Sequence, residues 1–239
     1  MSAKICEVFG LKVHCFEGLE QAADDIVNMA GSQCVMLTAL NPEKILTARR
    51  SEEVNAILQS SDVLYADGIG VVKAIRGKHG LKVNRVPGCE LWEKLVEAFT
   101  RDGKSIFMVG ASKEVNAQAV EKVVSQYGAQ VVGARDGFFD DEDQLIEEIK
   151  ASGASFVSVA LGSPRQERFI FKCKAQGVQA VMMGVGGTYD VYTGNVKRAP
   201  KVWCNLGLEW LYRLLNQPSR IGRQLKLVGF AWDLVLRRY

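Results

Sequence analysis

Six short apolar and β-branched runs, at positions 33–40, 63–66, 105–109, 130–133, 155–161 and 180–185, constrain this chain more than any other feature. Each is apolar nearly throughout, the pattern of a strand covered on both faces. Between them lie segments with helical spacing of apolar residues, at 19–30, 51–60, 89–100, 113–127, 141–152 and 164–176. Strands that alternate with helices are joined by crossovers and build a parallel sheet. Residues 7–16, with Gly10 midway, read as a small hairpin or edge element. At 239 residues the chain suits one globular domain with room for an appendage. Composition shifts only at Ala199-Pro200, so residues 1–199 are expected to form the α/β body and residues 200–239 a helical appendage.

Histidine is scarce. With only His14 and His79, a multi-histidine metal site is impossible and a Ser-His-Asp triad is disfavoured, so a general base is expected to be a carboxylate. The six cysteines (Cys6, Cys15, Cys34, Cys89, Cys173 and Cys204) form no C-x-x-C pair and several sit in apolar runs, which reads as reduced, structural thiols. The first residues, Met-Ser-Ala-Lys-Ile-Cys-Glu, lack the apolar core of a secretion signal, and no apolar run approaches the roughly 18 residues of a membrane span. The expectation is a protein that is soluble or lies on a membrane surface.

In an open parallel sheet ligands bind beyond the carboxyl ends of the strands. Leu64-Tyr65-Ala66-Asp67-Gly68 puts a carboxylate at such an end, suited either to taking a proton from a hydroxyl nucleophile or to capping the next helix. Asn41-Pro42 leaves another strand; Asn41 is a good N-cap, and a substrate contact only if the site surrounds it. Arg85, just ahead of a helix start, suits a phosphate or carboxylate, or a surface ion pair. Val109-Gly110-Ala111-Ser112 is a strand, a small-residue turn and a helix start, which presents backbone N–H groups to an anion. Gln166 and Glu167 open a helix where they could hydrogen-bond a sugar or base. Gly184-Val185-Gly186-Gly187 lacks the dinucleotide spacing, so no nicotinamide cofactor is expected. Gly186 instead lets a bulky ligand approach the backbone, bounded by Asp190 and Arg198. Asp141-Glu142-Asp143 spells D-x-D, yet opens an amphipathic helix and reads as a solvated helix start. No metal site is expected.

The net charge of +3 conceals an asymmetry. From Lys201 onward seven bases (Lys201, Arg213, Arg220, Arg223, Lys226, Arg237 and Arg238) face two acids, Glu209 and Asp233, giving +5 and leaving the body at −2. Three of the four tryptophans, Trp203, Trp210 and Trp232, lie there too. The tail reads as two helices broken at Pro218. The second carries Ile221, Leu225, Val228, Trp232 and Val235 along one stripe, with Arg220, Arg223 and Lys226 elsewhere. Such a helix suits an anionic bilayer surface, its arginines suit a diphosphate, and the bland alternative is a hairpin packed on the core.

Several motifs occur in one order: Ala66-Asp67-Gly68, Arg85-x-x-Gly88, Gly162-Ser163-Pro164-Arg165-Gln166-Glu167, residues 184–190, Lys197-Arg198-Ala199-Pro200, residues 207–214 and Gln217-Pro218-Ser219-Arg220. Together they resemble the WecG/TagA/CpsF glycosyltransferases from about residue 5 to the C-terminus. The tail and Thr188-Tyr189-Asp190 are most similar to the branch acting in enterobacterial common antigen biosynthesis. The resemblance implies a Rossmann-like, mostly parallel sheet flanked by helices, with a C-terminal helical appendage. It also implies metal-independent, inverting transfer of N-acetyl-D-mannosaminuronic acid from its UDP donor to undecaprenyl-diphospho-N-acetylglucosamine, with no cofactor. By that likeness Asp67 is the base that deprotonates the acceptor's C4 hydroxyl, and Arg85 and Gln166 belong to the substrate pocket. Arg213, Arg220 and Arg223 would close over the donor diphosphate. Some members carry a Thr two residues before the Asn; Ala39 stands there, and the role is not transferred to Thr38. Arg198 and Arg165 are candidates for the donor's carboxylate. The implied partners are a UDP-sugar, a polyprenyl-diphosphate acceptor and the inner face of the cytoplasmic membrane. Transfer of neutral N-acetylmannosamine, and a non-enzymatic module binding nucleotide or nucleic acid, are the alternatives. An acidic body without a nucleic-acid-binding signature speaks against nucleic acid.

Overall fold

The computed structural model describes residues 3–197, 199 and 200, together with Trp203, Leu211, Tyr212, Phe230, Leu234 and Leu236. The chain opens with strands β1 (Lys4–Val8) and β2 (Leu11–Cys15), an antiparallel hairpin turned by Phe9 and Gly10, both at positive φ. This is the hairpin expected at 7–16, begun three residues earlier. Helix α1 (Leu19–Val27) leads to β3 (Val35–Leu40), then α2 (Pro42–Ala48), α3 (Glu52–Gln59) and β4 (Val63–Ala66). Helices α4 (Ile69–His79) and α5 (Gly88–Arg101) precede β5 (Ile106–Gly110), α6 (Lys113–Tyr127) and β6 (Val131–Arg135). The described body ends with α7 (Glu142–Ser152), β7 (Phe156–Ala160), α8 (Arg165–Ala175), β8 (Val181–Gly184) and α9 (Thr188–Thr193). Helix α9 was not expected from the sequence.

The strands form one sheet in the order β1-β2-β4-β3-β8-β7-β5-β6, parallel throughout except for the β1–β2 hairpin. The expected mostly parallel α/β architecture is therefore present. Its layers follow from the two-residue repeat of a strand. In β3, Val35, Leu37 and Ala39 face a core that also holds Phe16, Trp92, Leu95 and Phe99, while Met36 faces the opposite core with Leu145, Ile149 and Phe169. β5 divides in the same way, with Ile106 and Met108 on the first side and Phe107 and Val109 on the second. Strands buried on both faces need apolar residues at every position, which is why they read as unbroken runs. At β4 the second face meets a third cluster, built from the hairpin, α2 and α4, and Phe230 of the tail belongs to it.

Among the described residues no helix is long and apolar enough to cross a membrane. Cys6, Cys15, Cys34, Cys89 and Cys173 are not joined in disulfides, and all but Cys89 are buried; Cys204 lies outside the described residues. The D-x-D run is a helix start: the Asp141 carboxylate accepts the Gln144 N–H at 2.9 Å, and Asp143 pairs with Lys172 at 3.0 Å.

Candidate active site

Asp67 leaves β4 at its carboxyl end, and both of its backbone groups are held. Its N–H donates to Leu40 C=O at 3.0 Å, and its C=O accepts from Arg85 Nε at 2.8 Å. The same guanidinium nitrogen stands 3.7 Å from Asp67 Oδ1, and both side chains keep partial exposure, 27% for Asp67 and 19% for Arg85. Val86 N–H donates to Ala66 C=O at 2.9 Å, so the loop carrying Arg85 runs on as if it were a short extension of the sheet. A carboxylate fixed by its backbone, reachable by solvent and adjacent to a cation is equipped to receive a proton from a docked hydroxyl.

Asn41 adjoins this pair. Its side-chain oxygen accepts the Lys44 N–H at 2.9 Å, the cap expected of it. The turn it begins also presses on Gly68, where a β-carbon would come within 2.7 Å of Pro42 Cδ and 3.4 Å of Asn41 Cα. Asn41 thus caps its helix and lies beside the Asp67 loop, with its amide oxygen occupied by the cap.

Two groups that the sequence reading gave no role border the Asp67 carboxylate. A β-carbon at Gly88 would stand 3.4 Å from the Tyr65 hydroxyl and 3.7 Å from Asp67 Oδ2. Tyr65 is fully buried, and among the described residues its hydroxyl has no hydrogen-bond partner. Leaving such a group unpaired costs about 1–3 kcal/mol. Burial, followed by the charges of Asp67, Cys89 and Glu167, holds its proton well above the ordinary tyrosine range. Strand periodicity was the available signal: Tyr65 lies two residues before Asp67, at the end of an otherwise aliphatic strand.

Gln166 and Glu167 are each only 4% exposed. Gln166 Oε1 accepts the Gly186 N–H at 2.9 Å and its Nε2 donates to Glu167 Oε1 at 2.9 Å. Gly184 makes room for it, since a β-carbon there would meet Gln166 Nε2 at 2.6 Å. Gln166 therefore underpins the Gly186 turn. Glu167 in turn pairs with Lys44 at 2.8 Å, both side chains at least nine-tenths buried. Burial raises the Glu167 pKa, but the Lys44 charge and hydrogen bonds from Lys44, Gln166 and Ser163 outweigh it, and the carboxyl lies below the ordinary range. This pair ties α2, beside the Asp67 loop, to α8, beneath the Gly186 turn. Asp190 sits half-exposed in the first turn of α9, its Oδ2 facing Gly187.

Gly110 lies at the other end of the strand row. The connection leaving β5 runs towards β6 and that leaving β7 runs towards β8, so the two loops diverge between β5 and β7, the place where open α/β sheets bind nucleotides. Gly110 has φ +110°, and a β-carbon would meet Ala160 O at 2.4 Å, so no other residue fits. The Ala111 N–H donates to Ala160 C=O at 3.0 Å, and at the start of α6 the Val115 N–H donates to Ser112 Oγ at 3.3 Å. β4 and β7 are three strand spacings apart, about 14 Å at roughly 4.8 Å each. Asp67, Asn41, Gly186 and Gly110 thus lie along one row of strand ends. A cavity of about 460 Å³ lined by Phe9, Arg49, Arg50 and Asn55 contains none of them. Arg198, Arg213, Arg220 and Arg223 lie outside the described residues. Arg165 is turned to the β6 side, where it donates to Gly137 C=O at 2.9 Å.

Compared with known protein families, the chain matches the model described as "Glycosyl transferase WecG/TagA/CpsF family" over residues 6–239.

Proposed function

The chain belongs to the WecG/TagA/CpsF glycosyltransferase family, and on that premise we propose that it transfers N-acetyl-D-mannosaminuronic acid from its UDP donor to undecaprenyl-diphospho-N-acetylglucosamine, in enterobacterial common antigen biosynthesis. The observation that carries the reading is the held, solvent-reachable Asp67 carboxylate beside Arg85 at the end of β4. Asp67 takes the proton of the acceptor's C4 hydroxyl as that oxygen attacks the anomeric carbon from the face opposite UDP. The anomeric C–O bond breaks, and the electron pair leaves on the UDP diphosphate. Arg213, Arg220 and Arg223 meet that charge, with the first turn of α6 as a second anion-facing element. Asn41, Gly186 and Asp190 line the donor sugar's path, with Gly110 at the nucleotide end, and Arg198 is assigned to the donor's carboxylate.

In this reading residues 1–199 are the catalytic body and residues 200–239 complete the site and hold the enzyme on the inner face of the cytoplasmic membrane, where a polyprenyl acceptor resides. The burial of Phe230 against Gly70, three residues beyond Asp67, supports a tail that reaches the site. The test is a donor panel on a lipid-diphosphate-N-acetylglucosamine acceptor. Turnover of UDP-N-acetylmannosaminuronic acid well above UDP-N-acetylmannosamine is expected. The reverse preference would assign the chain to neutral-sugar transfer.

A further inference from the structure

Fully buried hydroxyls without a partner are rare in folded proteins, and each calls for a reason. Phenylalanine at position 65 would fill the same core beside Trp92 and Tyr189 without leaving a polar atom unpaired. The hydroxyl lies on the border of the small volume left by the absent Gly88 side chain, and Asp67 Oδ2 borders the same volume. Gly88 begins α5 with an extended residue before it, so glycine is not demanded there by a left-handed backbone. The groups that bear on this spot are Asp67 and Arg85, Cys89 at the start of α5, and Glu167 with its partner Lys44.

We propose that Tyr65 is a positioning residue for Asp67. As the acceptor hydroxyl docks, the Tyr65 O–H donates to one carboxylate oxygen of Asp67 across the Gly88 gap, leaving the other oxygen aimed at the acceptor's proton. This inference rests on the reading of Asp67 as the base. The tyrosine transfers no proton: its high affinity for its own proton suits it to donate a hydrogen bond and keep the hydrogen. Gly88 has the complementary task of leaving the path between the two oxygens open.

Tyr65→Phe tests this by steady-state kinetics across pH. kcat should fall about ten- to hundredfold, the size of one hydrogen bond to a charged group, with little change in the donor KM. A hydrogen bond to a carboxylate favours its charged form, so its loss should also move the acid limb of the kcat profile up by about one pH unit. Thermal stability should hold or rise, which separates positioning from packing. In an Asp67→Asn background the same change should cost nothing more.

Gly88→Ala provides the second arm. Its methyl would make only ordinary contacts, at 3.4 and 3.7 Å, and alanine favours a helical first turn, so the fold should persist while kcat drops. Wild-type kcat and an unmoved acid limb in Tyr65→Phe overturn the proposal, as does full activity in Gly88→Ala if the first variant fails to fold. If Asp67→Asn retains turnover, the base reading falls and this inference falls with it. A dead Asp67→Asn beside an unaffected Tyr65→Phe defeats the positioning role alone.

Discussion

The Phe230 ring occupies the place a side chain at Gly70 would need: a β-carbon there would come within 2.7 Å of Phe230 Cε1. The ring also packs on Phe9, with centroids 5.2 Å apart, and is 3% exposed. A tail residue 160 positions away in sequence is thus seated on the first turn of the helix that follows Asp67.

Phe230→Ala should weaken that seat by about 3–5 kcal/mol, the range for truncating a buried aromatic. Limited proteolysis and hydrogen exchange should then show the tail cut and exchanging faster, with the body's unfolding midpoint changed much less. Gly70→Ala should act in the same direction by steric conflict, and adding Phe230→Leu should restore part of the protection. An unaltered cleavage pattern in Phe230→Ala would show that the contact does not hold the tail.

The Lys44–Glu167 pair makes a different prediction. Replacing either partner alone strands a buried charge, so Glu167→Gln and Lys44→Met should each cost about 3–5 kcal/mol in chemical denaturation. The double change Lys44→Met with Glu167→Leu should recover most of that loss. Because the folded Glu167 pKa lies below its ordinary value, the pair's stabilisation is complete above about pH 4.5. It should drain away as the pH falls through the lower, folded pKa.

His14 works with the opposite charge. Burial is the largest influence on it and lowers its pKa below 6.5, while a hydrogen bond with the Leu64 backbone and the Asp25 charge oppose the shift. Among the described residues its buried Nδ1 has no hydrogen-bond partner. Between 6.5 and the folded pKa the unfolded chain binds the proton more readily, so stability should fall as pH drops through that window and level off below it. Urea unfolding from pH 8 to 5 should show this slope, and His14→Gln should flatten it. An identical slope in the variant would assign the titration elsewhere.

Much of the sheet was legible because a parallel strand covered on both faces needs apolar residues without interruption. Residues 63–66 form β4 as expected. The run at 33–40 begins two residues late because the ladder starts where Val35 N–H finds Ala180 C=O, a partner that local composition does not specify. The places of Asp67 at a strand end and of Arg85 just ahead of a helix start could be read from the sequence, and the structure brings the two together. What Gln166 touches could not: its side chain turns inward to Gly186 and Glu167 because Gly184, eighteen residues on, leaves room for it. Tyr65 was hidden for a related reason. In a list of core residues it is one more aromatic, and only the position of its hydroxyl beside Asp67 and Gly88 sets it apart.

The proposed role of Asp67 as the base is tested by turnover of Asp67→Asn on UDP-N-acetylmannosaminuronic acid and the lipid-diphosphate acceptor, with donor affinity measured calorimetrically on the same preparation. With Asp67 as the base, kcat should be lower by about 10²–10⁴-fold, the usual contribution of a positioned general base, at nearly unchanged donor affinity. Turnover within a few-fold of wild type would contradict it.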